Sequence, residues 1–181
     1  MISKKTIGIL GGMGPDATID LYSKIIRICQ TRYGANFDED YPPMMILNIP
    51  APDICENLKN KEELLKILEE SAKMLEELGA DFIIIPCNTA HYLLPSLRKV
   101  VSIPILSMIK ETSERIRKKR YKRVGLLATT TTIKQRLYEK ILNKYGIYLI
   151  KPDEKAQRKI MRIIRGITAV SYTHLTLPTK A

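Results

Sequence analysis

Short apolar runs alternate along the chain with longer stretches in which apolar residues recur every three or four positions. The runs predict strands over residues 6–10, 44–49, 82–86, 103–106, 124–128 and 147–150. Between them, the helical period predicts helices over 16–33, 61–78, 90–100, 109–119, 133–145 and 153–165. The second helix is the plainest. Leu64, Leu65, Leu68, Ala72, Leu75 and Leu78 form one stripe opposed by Glu and Lys, and Gly79 follows as a stop. Ile83-Ile84-Ile85 has no polar alternation, which suits a parallel strand covered on both faces. Strands alternating with helices define a layered α/β fold with right-handed crossovers. Ligands in such folds sit past the carboxyl ends of the strands. That rule selects the loops 11–16, 48–55, 86–91 and 128–132.

Composition narrows the class without changing this outline. The 181 residues are 45% hydrophobic, enough to build a packed core. No apolar run approaches the ~18 residues that a membrane helix needs, and the first residues lead into a strand rather than a signal peptide. Cys29, Cys55 and Cys87 have neither C-x-x-C nor metal-ligand spacing. No disulfide framework and no metal site are therefore expected, and the cytoplasm is the default location. The net charge of +11 is uneven: residues 1–109 carry −3 and residues 110–165 carry +13. The densest stretch, from Arg115 to Arg123, holds a single aromatic, Tyr121, and reads as a solvated helix face, not a nucleic-acid surface. Residues 170–181 are Thr-rich without helical period and look foreign to the fold, so His174 is given no role.

Candidate chemistry gathers in the selected loops. In Gly11-Gly12-Met13-Gly14-Pro15, glycines let backbone N–H groups approach an anion. The spacing fits neither a Walker loop nor a dinucleotide fingerprint, and a tight turn that binds nothing is an equal reading. Pro86-Cys87-Asn88-Thr89-Ala90-His91 is more informative. Cys87 follows a strand directly, beside helix-end N–H donors, an environment that lowers a thiol pKa. Asn88 and Thr89 bring donors and acceptors to the same rim. His91 is either a partner behind that thiol or an ordinary hydrogen-bonded histidine. Cys29 falls on a stripe with Tyr22, Ile25, Ile26 and Tyr33 and reads as core. Cys55 lies in a ligand-facing loop; packing is the better reading, and its role stays open. The hydroxyls of Thr129 to Thr132 end a strand and serve either as a helix cap or as a carboxylate-binding rim.

These motifs resemble those of the aspartate/glutamate racemase family. The resemblance rests on Gly-Gly-Met-Gly-Pro with Ala17-Thr18, on Pro-Cys-Asn-Thr-Ala-His, and on Leu-Leu-Ala-Thr with Thr132 and Tyr138. The helix over 157–167 supports it, and it covers residues 5–167. It implies two similar parallel-sheet, Rossmann-like domains facing a central cleft: 1–105 carrying Cys87, and a partial second domain over 106–168. Residues 169–181 stand apart as a non-native-looking tail. The resemblance further implies a cofactor-independent racemase that interconverts L- and D-aspartate, or glutamate, with one cysteine on each face of the substrate Cα. A thiol suits this because its pKa lies close enough to neutrality to serve as acid or base. On this match Cys87 is the catalytic acid/base. Met13, Asn88, Thr89, Thr129 and Thr132 line the substrate, and Lys159 pairs with a substrate carboxylate. The implied partner is a small-molecule amino acid, with no nucleic acid and no membrane, and the full-length form is a homodimer.

One departure qualifies the match. The family's second cysteine lies in a Gly-Cys-Thr-Glu-type motif after a later strand, and no such motif occurs in these 181 residues. The expectation is a chain that does not racemise as written and folds poorly, its second sheet keeping an unpaired edge. The alternative reading is a non-catalytic domain that binds an amino acid or dicarboxylate in the same cleft.

Overall fold

The computed structural model describes residues 5–168. The expectations for 169–181, His174 included, lie outside the described residues. Strand β1 (Ile7–Gly11) is buried along its whole length, as a central strand with no polar side chain should be. It pairs in parallel with β2 (Met44–Asn48) on one side and β3 (Phe82–Ile84) on the other, giving the order β2-β1-β3. The strand predicted at 103–106 contributes a single bridge between Ile83 and Ile105. Pro104 has no N–H to extend the ladder. Only its carbonyl, taken by Ile83 N–H, and the Leu106 N–H, given to Ile83 O, join the sheet, each at 2.9 Å.

Helix α1 (Pro15–Tyr33) follows β1, and α2 (Lys61–Glu77) packs the predicted stripe onto the sheet except Leu78, which lies past its end and is exposed. Leu64, Leu68, Ala72 and Leu75 share one core with Leu10, Ile83 and Ile85. On α1 the predicted stripe is half right. Cys29 is core, but Tyr22 and Tyr33 face outward.

A second parallel pair, β4 (Arg123–Gly125) with β5 (Tyr148–Ile150), has its own core of Ile109, Tyr138, Leu142, Ile147 and Leu149. Helix α3 (Leu94–Leu97) ends the turn after Cys87, and α4 (Met108–Lys118) opens the second unit. The Ser107 side chain caps α4 by accepting the Lys110 N–H at 3.2 Å. Helices α5 (Thr130–Lys134), α6 (Glu139–Lys144) and α7 (Glu154–Thr168) complete the described residues. The basic run at the end of α4 is exposed, as expected of a solvated face. Arg117 and Arg123 lie over the Tyr145 and Tyr148 rings.

Two predicted helices divide in the structure. Residues 90–100 become a 3₁₀ turn over Thr89–Leu93 followed by α3. Residues 133–145 break between α5 and α6, where Arg136 takes φ 54°. Within the first unit, Glu76 at the end of α2 fixes the segment that leads toward the second. Its carboxylate accepts from Ser102 N–H, Ser102 Oγ and Ile103 N–H at 2.7, 2.5 and 3.2 Å. Those bonds hold its carboxyl below the ordinary value, the Ser102 hydroxyl contributing most. Among the described residues no helix is long and apolar enough to cross a membrane.

Candidate active site

The loops after β1, β2, β3 and β4 converge at the seam between the two units, as the strand-end rule requires. Gly12 makes the first approach. It has φ 93°, and a Cβ there would lie 2.3 Å from the Ile49 carbonyl oxygen, so the loop after β1 passes directly against the loop after β2. The Gly12 N–H donates to Thr18 Oγ1 at 3.0 Å. That amide is spent inside the turn, while Met13 and Gly14 line the space beside Cys87.

Cys87 leaves β3 and enters the 3₁₀ turn, half-buried. Burial pushes its thiol above the ordinary value. The Ala90 and Thr89 amides, which point at the sulfur, oppose that, and the Asp53 charge adds to the rise. The lowered thiol expected from the sequence is therefore not found: helix-end donors are present, but burial outweighs them.

His91 stands behind this turn, buried. Its Nε2 accepts the Met108 N–H at 3.1 Å, so the proton is on Nδ1, which donates to the Cys87 carbonyl at 2.8 Å. One ring thus fixes the Cys87 peptide and satisfies an orphan N–H at the start of α4. Burial, and more weakly the Arg98 charge, holds its pKa below the ordinary value against the Cys87 and Leu106 backbone groups, which favour the charged ring.

The second unit supplies hydroxyls. Thr129 caps α5, accepting the Thr132 N–H at 3.2 Å. Its Oγ1 bonds Thr89 Oγ1 at 2.8 Å and Thr132 Oγ1 at 2.9 Å, and Thr89 to Thr132 closes the ring at 3.3 Å. Both readings of the threonine run thus meet in one residue, a cap that also reaches the cleft. The Tyr138 hydroxyl, whose pKa burial raises, donates to Asn88 Oδ1.

Two cavities of about 350 Å³ each flank Cys87. Both are bordered by Met13, Cys55, Cys87 and Thr89; Asn88, Thr129 and Tyr138 border one of them. Cys55 is the residue that sequence reasoning underweighted. Its N–H donates to Asp53 Oδ1 at 2.7 Å and its carbonyl accepts the Thr131 N–H at 3.0 Å, which turns it into the cleft. Burial, then the hydrogen bond to Asp53, pushes its thiol up to about 12. The signal was its place in the loop after β2. Of the residues named from the sequence, Met13, Cys87, Asn88, Thr89 and Thr129 border the cavities, and Thr132 joins through the hydroxyl ring. Lys159 is exposed on α7 and borders neither cavity. Its helix instead presents Ile164 and Arg165 there, with Arg165 bonded to Glu56 at 2.8 Å. Among the described residues no group of three or more His, Cys, Asp or Glu is arranged to hold a metal.

Parallel α/β units meeting past their strand ends agree with solved structures of amino-acid racemases. An aspartate racemase from Picrophilus torridus superposes with a TM-score of 0.81 at 31% identity, over 92% of this chain and 69% of that one. An aspartate racemase homologue from Pyrococcus horikoshii OT3 gives 0.75 at 33%, over 90% and 70%. The Asp/Glu/hydantoin racemase family model matches residues 10–176, and the chain belongs to that family. The broad specificity amino-acid racemase RacX of Bacillus subtilis (strain 168) is 39% identical over 170 residues, 94% of this chain and 74% of that protein.

Proposed function

We propose that the chain is of the amino-acid racemase type, built as units 1–105 and 106–168, in which Cys87 exchanges the substrate's Cα proton on one face without a cofactor. The Gly-Cys-Thr motif that would serve the opposite face in full inversion does not occur in these 181 residues. The observation that carries this reading is Cys87 itself, set between two cavities with the Thr89 and Ala90 amides on its sulfur. A thiol raised by burial is a stronger base once ionised, and the two amides keep the thiolate within reach. Negative charge that develops on the substrate carboxylate as Cα ionises meets the Asn88 amide and the Thr89 and Thr129 hydroxyls, which turn a hydrogen out of their mutual ring toward it while Thr132 holds them from behind. Substrates named for the relatives include aspartate, glutamate and a broad range of amino acids. The family motifs imply aspartate or glutamate, an expectation set against the apolar wall and the Asp53 carboxylate of one of the two cavities. Lys159 would need to reach the cleft to meet a substrate carboxylate. A cytoplasmic homodimer is the proposed working form.

The test is proton exchange at Cα in D₂O, followed by NMR on an amino-acid panel. Exchange that Cys87→Ser abolishes supports the reading. Saturable binding with no exchange on any substrate moves the binding-domain alternative to first place.

A further inference from the structure

The two cavities that meet at Cys87 differ in their walls. One carries, among apolar neighbours such as Leu126 and Leu127, the Asn88 amide and the Thr129 hydroxyl, groups suited to an α-amino and α-carboxylate pair, with the Tyr138 hydroxyl holding Asn88. The other is walled by Ala51, Pro52, Ile54, Leu64 and Ile164, with Ile54 and Leu64 fully part of the core. Its charged lining residues are Asp53 and Arg165. The Asp53 charge already acts on both thiols, raising each. Arg165 stands at the exposed rim in its ion pair with Glu56. A distal carboxylate placed here would lose water against an apolar wall, face the Asp53 carboxylate, and find the rim cation already matched by an anion.

Resting on the reading of Cys87 as the Cα acid/base, we infer that the substrate carries an uncharged, apolar side chain of the leucine or methionine class. Asp53 is the residue that excludes acidic ones. With Cα at Cys87, the polar ends turn to Asn88 and Thr129, and the side chain enters the Ile54–Leu64 cavity. Rejection by a fixed like charge is specificity by repulsion, added to the attraction of the apolar wall.

The test is substrate protection of Cys87 against iodoacetamide on the full chain, followed by peptide mass spectrometry. The probes are L-leucine, L-methionine, L-lysine, L-aspartate and L-glutamate. Leucine or methionine is expected to protect at roughly tenfold lower concentration than either acid, the discrimination one or two well-placed groups supply. Asp53→Asn keeps the Oδ1 acceptor for the Cys55 N–H. It is expected to narrow that gap, read as the ratio of the methionine to the aspartate protecting concentration within the variant, so that its own altered Cys87 alkylation rate cancels. Aspartate, glutamate or lysine protecting as well as methionine overturns the inference and leaves the Cys87 site standing. Protection by none of the five overturns the site reading, and the inference with it.

Discussion

Asn88 Oδ1 receives the Tyr138 hydroxyl at 2.5 Å, across a sequence separation of 50 residues. Asn88 belongs to the turn that carries Cys87, and Tyr138 to the core of the second unit. The bond therefore ties the reacting loop of one unit to the interior of the other. Tyr138→Phe removes it and leaves the Asn88 oxygen short of a donor. A loss of about 1 kcal/mol in unfolding free energy is expected, read by urea denaturation.

Gly12→Ala tests the close approach of the first two loops. The added Cβ would meet the Ile49 backbone, at a positive φ that alanine rarely adopts. A loss above about 2 kcal/mol is expected. Gly34→Ala is the control: its φ is 71° with nothing within 4 Å, so the backbone cost alone, about 1 kcal/mol, remains. Equal losses in the two variants would remove the collision from the explanation.

His91 gives a pH dependence with a defined sign. Its folded pKa lies below the ordinary 6.5, so the unfolded chain takes up a proton more readily than the folded one. Stability from this group is fully present above pH 6.5 and declines as pH falls through that value toward the folded pKa. His91→Asn keeps a donor for the Cys87 carbonyl and cannot titrate. Melting temperatures measured from pH 7.5 to 5.5 should lose this part of their slope in the variant; an unchanged slope would assign it elsewhere.

Cys87 is predicted to react as a high-pKa thiol. Its alkylation rate should still be climbing above pH 9.0, the ordinary value. Asp53→Asn removes a charge that raises the thiol, so the profile should move to lower pH. A midpoint below 8 in the wild-type chain would contradict the dominance of burial.

The proposed units 1–105 and 106–168 are separable by core truncation. Leu68→Ala and Leu142→Ala each empty a fully buried site in a different core. Each should cost about 2–5 kcal/mol. Hydrogen exchange followed by mass spectrometry should place the loosening in the truncated unit first. Uniform loosening in both variants would mean one cooperative unit instead of two.

Much of this architecture is written in local pattern. The α2 stripe up to Leu75, the Ile83-Ile84 pairing with Ile85 in the core, and the loops past the strand ends each follow from short-range periodicity and appear in the structure, whereas Leu78 is exposed. What the pattern missed has physical causes. The helix over 133–145 breaks at Arg136, a non-glycine residue in the left-handed region, where no Gly or Pro announces a stop. The strand at 103–106 shrinks to one bridge because Pro104 interrupts its donors. Cys55 and Cys87 come from loops after different strands, and their common cavity exists only once β1 has been laid between β2 and β3. The rise of the Cys87 thiol is likewise a property of packing, which no spacing of residues records.

Three threonine hydroxyls closed on one another, Thr89, Thr129 and Thr132, have three hydrogens for three bonds. Such a ring admits two circulations, one the mirror of the other, and no hydroxyl can reverse without the remaining two following. Thr89 lies in one unit and the other two in the second. An acceptor oxygen that takes the hydrogen of one member opens the ring and makes the remaining two bonds reorient, so a polar contact in one unit is felt in the other with every backbone atom at rest.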